Sequence, residues 1–563
     1  VDNRTNFGIH YPVCSRSTVS LGTTTRGCEM KRNDLFSLGT TGHRVKLRRL
    51  LGVSIGAIVL FGATACGSSS DSSSVESAVE TIAVVEIPTT LSVSIGSEPG
   101  SLDPLLKSDG PRDTFGLSVY EGLTIRVGDA SGSEIVPNLA SSYELDGTAW
   151  IFKLREGVLF HNGQPLTADD VVASWNRMLS EGSEHLGSKV FEDTVVTAVD
   201  SMTVSIARPT ADPTTPARAA LVMIAPADFA ALADDRMASE MVGTGPYQMT
   251  AWNRAESIVL EAFPEYWGNQ PSITTVNVLF SEEVAVRMAA LQAGEAQMVL
   301  NMSPDLISDS FNTVGTPVSE VSIMRLNSQH GPFKDLKVRQ AANLAMDRQA
   351  LSDAIWGGFA SDAGGQEVAK YVFGHNPNLK QAEFNPEEAR RLLTEAGALG
   401  AKVEVYGTRG HWTNDGLLGP AIVGMLNDAG FAAELKEPPF GDWVKKVFIA
   451  ETDDTQAPDI TLYNHSNELF DSSLTIGQNL TCKGSASTTC IPEVDELAIQ
   501  ALGVGSDLSK RQDLYNQIWK ILVDDVAFVS LGEVQKLTFH AKNLNWSPEA
   551  DGFLRFQLMS FNS

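Results

Sequence analysis

The chain predicts an α/β fold spread over more than one domain, and three features of the sequence carry that expectation. At 563 residues it is too long for a single hydrophobic core. Residues 322–505 alternate strand-like with helix-like segments, the pattern that builds central sheets flanked by helices. Residues 120–179 read as a strand–turn–strand–loop–helix unit. Within that unit Trp150, Phe152 and Leu154 alternate with polar neighbours, as in a half-buried strand. Gly157 and Asn162-Gly163 supply turns. Thr167 and Asp170 then form a capping-box pair ahead of Val171, Val172, Trp175, Met178 and Leu179, an apolar face at helical spacing.

The chain starts with a segment that is not part of the fold. Arg44, Lys46, Arg48 and Arg49 precede the 16-residue apolar run LLGVSIGAIVLFGATA, and Cys66 follows. A basic stretch, a short apolar run and small residues make an export signal, and the run falls short of the roughly 20 residues a spanning helix needs. A retained apolar anchor helix is the alternative. Residues 1–29 show no pattern, and Met30 with Lys31 and Arg32 resembles a start site. Residues 66–88 are rich in Ser, Glu and Val and suit a tether. A strand begins near Thr90, and strands dominate to about residue 320. A helix is expected at 282–293, with Ser281 as N-cap and Gly294 just past its end. Asp335 and Asp347 are N-caps, and Asn385-Pro386 pairs a cap with a first-turn proline ahead of a stop at Gly397. Leu514, Ile518, Ile521 and Leu522 make the apolar face of a late helix.

Charge and motifs narrow the function. Beyond residue 65 the chain holds 33 basic and 66 acidic residues, a net charge of −33. Nucleic acid and anionic headgroups repel so acidic a body, which excludes a nucleic-acid partner. Cys482 and Cys490, the only cysteines after Cys66, read as a disulfide closing a short loop in an exported chain. Two separate thiols are the alternative. No His, Asp or third Cys stands near them at ligand spacing, so no metal is expected. Gly52-Val53-Ser54-Ile55-Gly56 matches a nucleophile elbow only inside the leader. Gly243-Thr244-Gly245-Pro246 lacks the third glycine of a dinucleotide fingerprint, and Pro246 removes a donor. His161 and His185 are expected in loops or at the surface. No catalytic residue and no cofactor is expected.

The phrase LREGVLFHNGQPLTADDVV at 154–172 resembles the peptide-type (family 5) extracytoplasmic solute-binding proteins that serve ABC importers. Further blocks keep the family's order: SEPGSLDPLL at 97–106, VGTGPYQMTAW at 242–252, EAFPEYWG at 261–268, AALQAGEAQMV at 289–299, PFKDLKVRQAANLAMDRQAL at 332–351, FNPEEARRLLTEAG at 384–397 and LYNQIWKILVDDVAFVSL at 514–531. The resemblance implies a two-lobed periplasmic-binding-protein-like fold of type II with a hinge and a cleft. It places a first lobe at 89–321 with a subdomain inserted at about 130–240, a second lobe at 322–510, and a return to the first lobe at 511–563. Cys66-Gly67 resembles a bacterial lipoprotein processing site, with Ala63 where Leu is usual, and implies a lipid anchor on Cys66. The implied function is a monomeric, lipid-anchored receptor on the extracytoplasmic face of the cell membrane. It would capture oligopeptide or dipeptide-like solutes and deliver them to ABC permease subunits. The alternatives are a nonpeptide solute, such as a nickel chelate or a sugar oligomer, or an exported hydrolase.

The resemblance also implies site residues. Arg409, in a strand-end loop before a helix expected near Pro420, stands near the place where family members for small peptides carry an arginine for the ligand carboxylate. His411 and Trp412 adjoin it. The family's amine-binding Asp follows a Trp that this chain lacks in 459–471, so Asn467, Glu468 or Asp471 fills the acidic position, near Tyr463. On the first lobe, Glu98, Ser101, Leu102 and Tyr247 stand where the family approaches ligand.

Overall fold

A computed structural model describes residues 87–105, 110–129, 132–180, 191, 193–230, 236–409, 412, 414–447 and 457–562. The leader, Cys66, most of the tether, His185 and His411 lie outside the described residues. Strand β1 (Thr90–Ile95) precedes a hairpin of β2 (Thr124–Asp129) and β3 (Gly132–Pro137). Next come β4 (Ala140–Asp146), β5 (Ala149–Leu154), β6 (Val195–Asp200) and β7 (Thr203–Ala207), a separate antiparallel sheet in the order β4-β5-β7-β6. Phe152 and Leu154 of β5 face inward, and Trp150 is half-buried with its indole N–H on the Asp212 carbonyl at 2.8 Å. The helix Ala168–Leu179 follows, and its capping box forms: the Thr167 N–H donates to the Asp170 carboxylate at 2.7 Å. Trp175 and Met178 join Phe152, Leu154 and Phe160 in a core that belongs to this sheet.

Ten further strands join β1 in one large sheet. They are β8 (Tyr247–Asn253), β9 (Ser257–Ala262), β10 (Thr275–Phe280), β11 (Met298–Met302), β12 (Asn312–Leu326), β13 (Ala360–Ser361), β14 (Lys402–Tyr406), β15 (Ala432–Lys436), β16 (Ile460–Ser466) and β17 (Phe528–His540). Their order is β15-β14-β16-β12-β17-β11-β1-β10-β9-β8, with β13 paired to β17 off the path. β12 and β17 are long enough to serve both halves. Asn312–Pro317 pairs with the end of β17 that also carries β11, whereas Val321–Arg325 lies between β17 and β16. The ladder between β12 and β17 shifts register at Pro317–Val321 and again at Ser322–Ile323. Such bulges bend a strand pair, and here they fall where the pair passes from one lobe to the other. Each half has its own cores, around Leu91, Val276 and Tyr247 on one side and around Met324, Val405 and Ile422 on the other. Among the described residues no helix is long and apolar enough to cross a membrane.

The caps read from sequence are largely in place. Asp335 accepts from the Lys337 N–H, Asp347 from Ala350 and Asn385 from Glu388. Two boundaries differ. The helix expected from residue 282 is Val284–Ala293, because the Ser281 N–H still bonds the Ile95 carbonyl and so extends the strand instead of capping. The helix expected near Pro420 is Asp415–Ala429 with Pro420 inside it. It starts early because the Asp415 carboxylate accepts from Thr408 Oγ1 at 2.9 Å and from the Trp412 N–H at 3.1 Å, which folds the loop onto the first turn.

Cys482 and Cys490 are joined, with Cα atoms 4.2 Å apart. The loop they close offers the Ala486 carbonyl to buried Arg325 and the Thr488 carbonyl to the Ser328 N–H. Reduction is expected to lower folding stability by roughly 2–3 kcal/mol, the chain entropy a loop of this length releases. Urea unfolding with and without reductant measures it, and an unchanged midpoint would show that hydrogen bonds alone hold the loop.

Candidate functional site

The described surface opens between the two halves of the large sheet into a cavity of about 460 Å³, within the range of small-molecule sites. One wall comes from the end of β1, the hairpin strand β2 and the segments 112–122 and 551–557. The other comes from 316–320 on β12, 466–470 after β16, and Lys536 and Thr538 on β17. Three non-glycine residues on these walls have left-handed backbones: Asn301 at φ 53°, Ser319 at φ 49° and Phe470 at φ 52°. Conformations of this kind persist only where the surroundings enforce them, and they gather at ligand sites. At Ser319 the enforcement is visible: its N–H donates to Tyr371 Oη at 2.8 Å and its hydroxyl accepts from the Asn467 N–H at 3.3 Å.

The cleft floor on the first-lobe side is organised around Glu121. Its carboxylate accepts from Thr244 Oγ1 at 2.8 Å, Trp267 Nε1 at 2.9 Å and Tyr266 Oη at 3.1 Å. Burial raises its pKa to about 7 against the pull of those donors. Thr244 reaches it because Gly243 and Gly245 lie against the Val119 carbonyl, where an added Cβ would come within 2.1 and 2.8 Å of the oxygen. His161 pins the same turn. Its Nδ1 accepts from the Gly243 N–H at 3.3 Å and its Nε2 meets the Gly245 carbonyl at 2.9 Å, which suits a neutral ring, and burial lowers its pKa to about 4. His161, expected at the surface or in a loop, stands in a turn, half-buried and bonded to the backbone of Gly243 and Gly245.

Of the ten side chains singled out for ligand contact, Glu468 alone lines this cavity. It is exposed to the cleft solvent yet ringed by protein, and this desolvation raises its pKa, with Glu320 and Asp113 adding to the rise. The others stand elsewhere, each for a physical reason. Leu102 and Tyr247 are in the core, Tyr247 with its hydroxyl donated to the Ile273 carbonyl at 2.8 Å. Glu98 turns to Arg254 at 3.3 Å, and the Ser101 hydroxyl accepts from the Asp103 N–H. Arg409 is largely exposed and pairs with Glu437 at 2.8 Å. Trp412 and Tyr463 border a separate recess of about 10 Å³, room for roughly one water. The Tyr463 hydroxyl donates to buried Glu367 at 2.7 Å. Asn467 is fully buried, its amide on the Asp471 carbonyl and Thr475 Oγ1, and the Asp471 carboxylate holds Arg511 at 2.6 Å. Asn467 and Asp471 thus brace the loop that presents Glu468. Glu121, Arg126, Ser319, Glu320 and Lys536 escaped the sequence reading, because nothing in strand periodicity says which polar side chain faces a cleft made by two distant segments.

A cleft between two α/β halves, crossed by bulged strands, has the architecture of the two-lobed type II periplasmic class. The chain belongs to the bacterial extracellular solute-binding proteins of family 5, whose model matches residues 134–486. It is 27% identical over 501 residues to the dipeptide-binding protein of Escherichia coli K12, covering 79% of this chain and 89% of that one. Among solved structures it is similar to the periplasmic binding protein DppA of Helicobacter pylori in complex with the peptide STSA. That match has a TM-score of 0.70 and 22% identity, over 85% of this chain and 99% of the other. NikA of Brucella suis in complex with Fe(III)-EDTA matches with a TM-score of 0.73 at 22% identity, over 84% of this chain and 100% of the other. At these identities the solved structures speak for the fold.

Proposed function

We propose that this protein is the receptor of an ABC importer that captures short peptides in the interlobe cleft and hands them to a membrane permease, held at the extracytoplasmic face by a lipid on Cys66. The observation that carries the peptide reading is the similarity to a dipeptide-binding protein along most of both chains. The cleft is consistent with it. Its size suits a small solute, and its walls bring both signs of charge, with Glu468 on one side and Arg126 on the other. The bulged strands β12 and β17 supply a hinge about which the lobes close on ligand. The lobes correspond to residues 89–321 with 511–563 and to 322–510, and the monomer is the working unit. A nonpeptide chelate is the second reading, because a neighbour of the same fold holds Fe(III)-EDTA.

One experiment addresses ligand and anchor together. The exported protein is purified without denaturant, then denatured, and mass spectrometry reads both the released small molecules and the intact chain. Short peptides and a mature chain beginning at acylated Cys66 are expected. Release of a metal chelate or polyol without peptides favours the second reading, and an unmodified N-terminus well beyond residue 66 removes the anchor.

A further inference from the structure

The two walls of the cleft meet through Arg126. Its strand β2 is fixed to the first wall, where the Thr124 hydroxyl donates to the Pro216 carbonyl at 2.6 Å and the Leu123 N–H to the Ala219 carbonyl at 3.1 Å. The guanidinium then reaches across. Nη1 stays with its own hairpin, donating to Ser133 Oγ at 3.1 Å, whereas Nη2 donates to the Leu469 carbonyl at 2.8 Å. Cζ stands 4.2 Å from the centre of the Phe470 ring, and Leu469 and Phe470 follow β16 on the opposite wall. The receiving loop is held in place. Phe470 has φ 52°, its N–H donates to the Asn467 carbonyl at 3.0 Å, and its own carbonyl accepts from the Phe373 N–H at 2.9 Å. Its ring lies 5.8 Å from that of Tyr371, and the Asp471–Arg511 pair braces the next residue. A left-handed backbone in such a residue persists only where the surroundings enforce it. A second fastening lies two residues along β2, where the Gly128 carbonyl accepts from the Ala550 N–H at 3.1 Å. Ala550 itself packs in the core with Tyr515 and Trp519.

We propose that Arg126 is a latch between the lobes, a contact made by the protein itself that keeps the cleft closed for part of the time with no solute inside. The inference goes beyond the receptor reading and needs only the two-lobed fold, since the chemistry of the solute does not enter it. The bulges in β12 and β17 let the strand pair bend, and the walls part only when the bond to Leu469 and the contact with Phe470 break. A guanidinium suits this place because its flat face covers a ring while its edge donates to a carbonyl. Opening returns both the guanidinium and the Leu469 carbonyl to water. The net gain from closure is therefore much smaller than the bond itself, of the size that leaves both arrangements populated. Closure of this kind reduces apparent affinity for any solute by the fraction of protein that stands open, so the strength of the latch sets how readily the cleft admits one.

The test is double electron–electron resonance on the full exported protein, with spin labels at two exposed positions on opposite sides of the cleft, Glu144→Cys and Lys402→Cys. Denaturation without reductant, followed by refolding, first removes any carried solute. Two label distances are expected in the solute-free protein, the shorter being the closed arrangement. Arg126→Gln is expected to lower the ratio of short to long distances by about five- to thirtyfold, with its melting temperature as the folding control. Arg126→Lys, which keeps the charge and loses the flat face, should lower it less and replaces the Gln variant if that does not fold. Ser133→Ala removes the bond inside the hairpin and leaves the latch, so the ratio should stay at the wild-type value. An identical distance distribution in the wild type and Arg126→Gln overturns the inference. So does a fall in Ser133→Ala as large as that in Arg126→Gln, which would make Arg126 a support of its own hairpin. No solute is used, so failure of the latch leaves the receptor reading standing, and failure of the receptor reading leaves the latch.

Discussion

Asp471→Ala is expected to lower folding stability by about 3–5 kcal/mol, because it leaves a buried guanidinium without its counter-ion. The Asp471 carboxylate receives Arg511 Nη1 at 2.6 Å and Nη2 at 2.8 Å, the Tyr515 hydroxyl at 3.1 Å and the Ser473 N–H at 2.9 Å. Arg511 is 1% exposed, and its Nε already has no partner. Removal of the acid gives the charge no route to water short of opening the core around Tyr515 and Trp519. Urea unfolding measures the loss. Replacing both partners with apolar residues, Asp471→Leu with Arg511→Met, should recover much of it, since the pair itself gives back little beyond its own desolvation. A single-variant loss below about 1 kcal/mol would mean that water reaches Arg511 freely.

The second large effect depends on pH. Glu121 is raised to about 7 by burial, and among the described residues it has no cation partner, only the Thr244, Trp267 and Tyr266 donors and the nearby Asn138 amide. A carboxyl whose folded pKa lies above its unfolded value holds its proton longer in the native state. Its contribution to stability is therefore complete below about pH 4.5 and is lost as pH rises through 7. Glu121→Gln keeps the shape and cannot ionise. The stability of the variant relative to wild type should thus increase by on the order of 3 kcal/mol between pH 4.5 and 7.5. His161 and His465, lowered to about 4 and about 3 by burial, act in the opposite sense, losing stability as pH falls below 6.5, but they do so equally in both proteins and cancel in the difference. A difference that stays flat across this range would show that Glu121 is ionised throughout and that water enters the cleft floor.

What could be read from the chain is local in character. The Thr167–Asp170 capping box, the caps at Asp335, Asp347 and Asn385 and the Cys482–Cys490 bridge each lie within a few residues of their partners, so short-range chemistry specifies them. The missed helix starts at 284 and 415 show where that ends. Ser281 is claimed by Ile95 of a neighbouring strand, and Asp415 by Thr408 across a loop.

The sequence by itself determined the fold class, the order of the blocks and the family, because periodicity, caps and recurring phrases are carried by neighbours along the chain. The tertiary structure alone decided which polar side chains face the cleft. Arg126 meets the Leu469 carbonyl across 343 residues of sequence, and Thr244 meets Glu121 across 123. Tyr247 and Asp471, expected at the ligand, turn inward to Ile273 and Arg511. The physical reason is that a buried hydroxyl or charge must find its partner wherever packing places one, and a strand's alternation says which face a residue takes, not what the other lobe brings against that face.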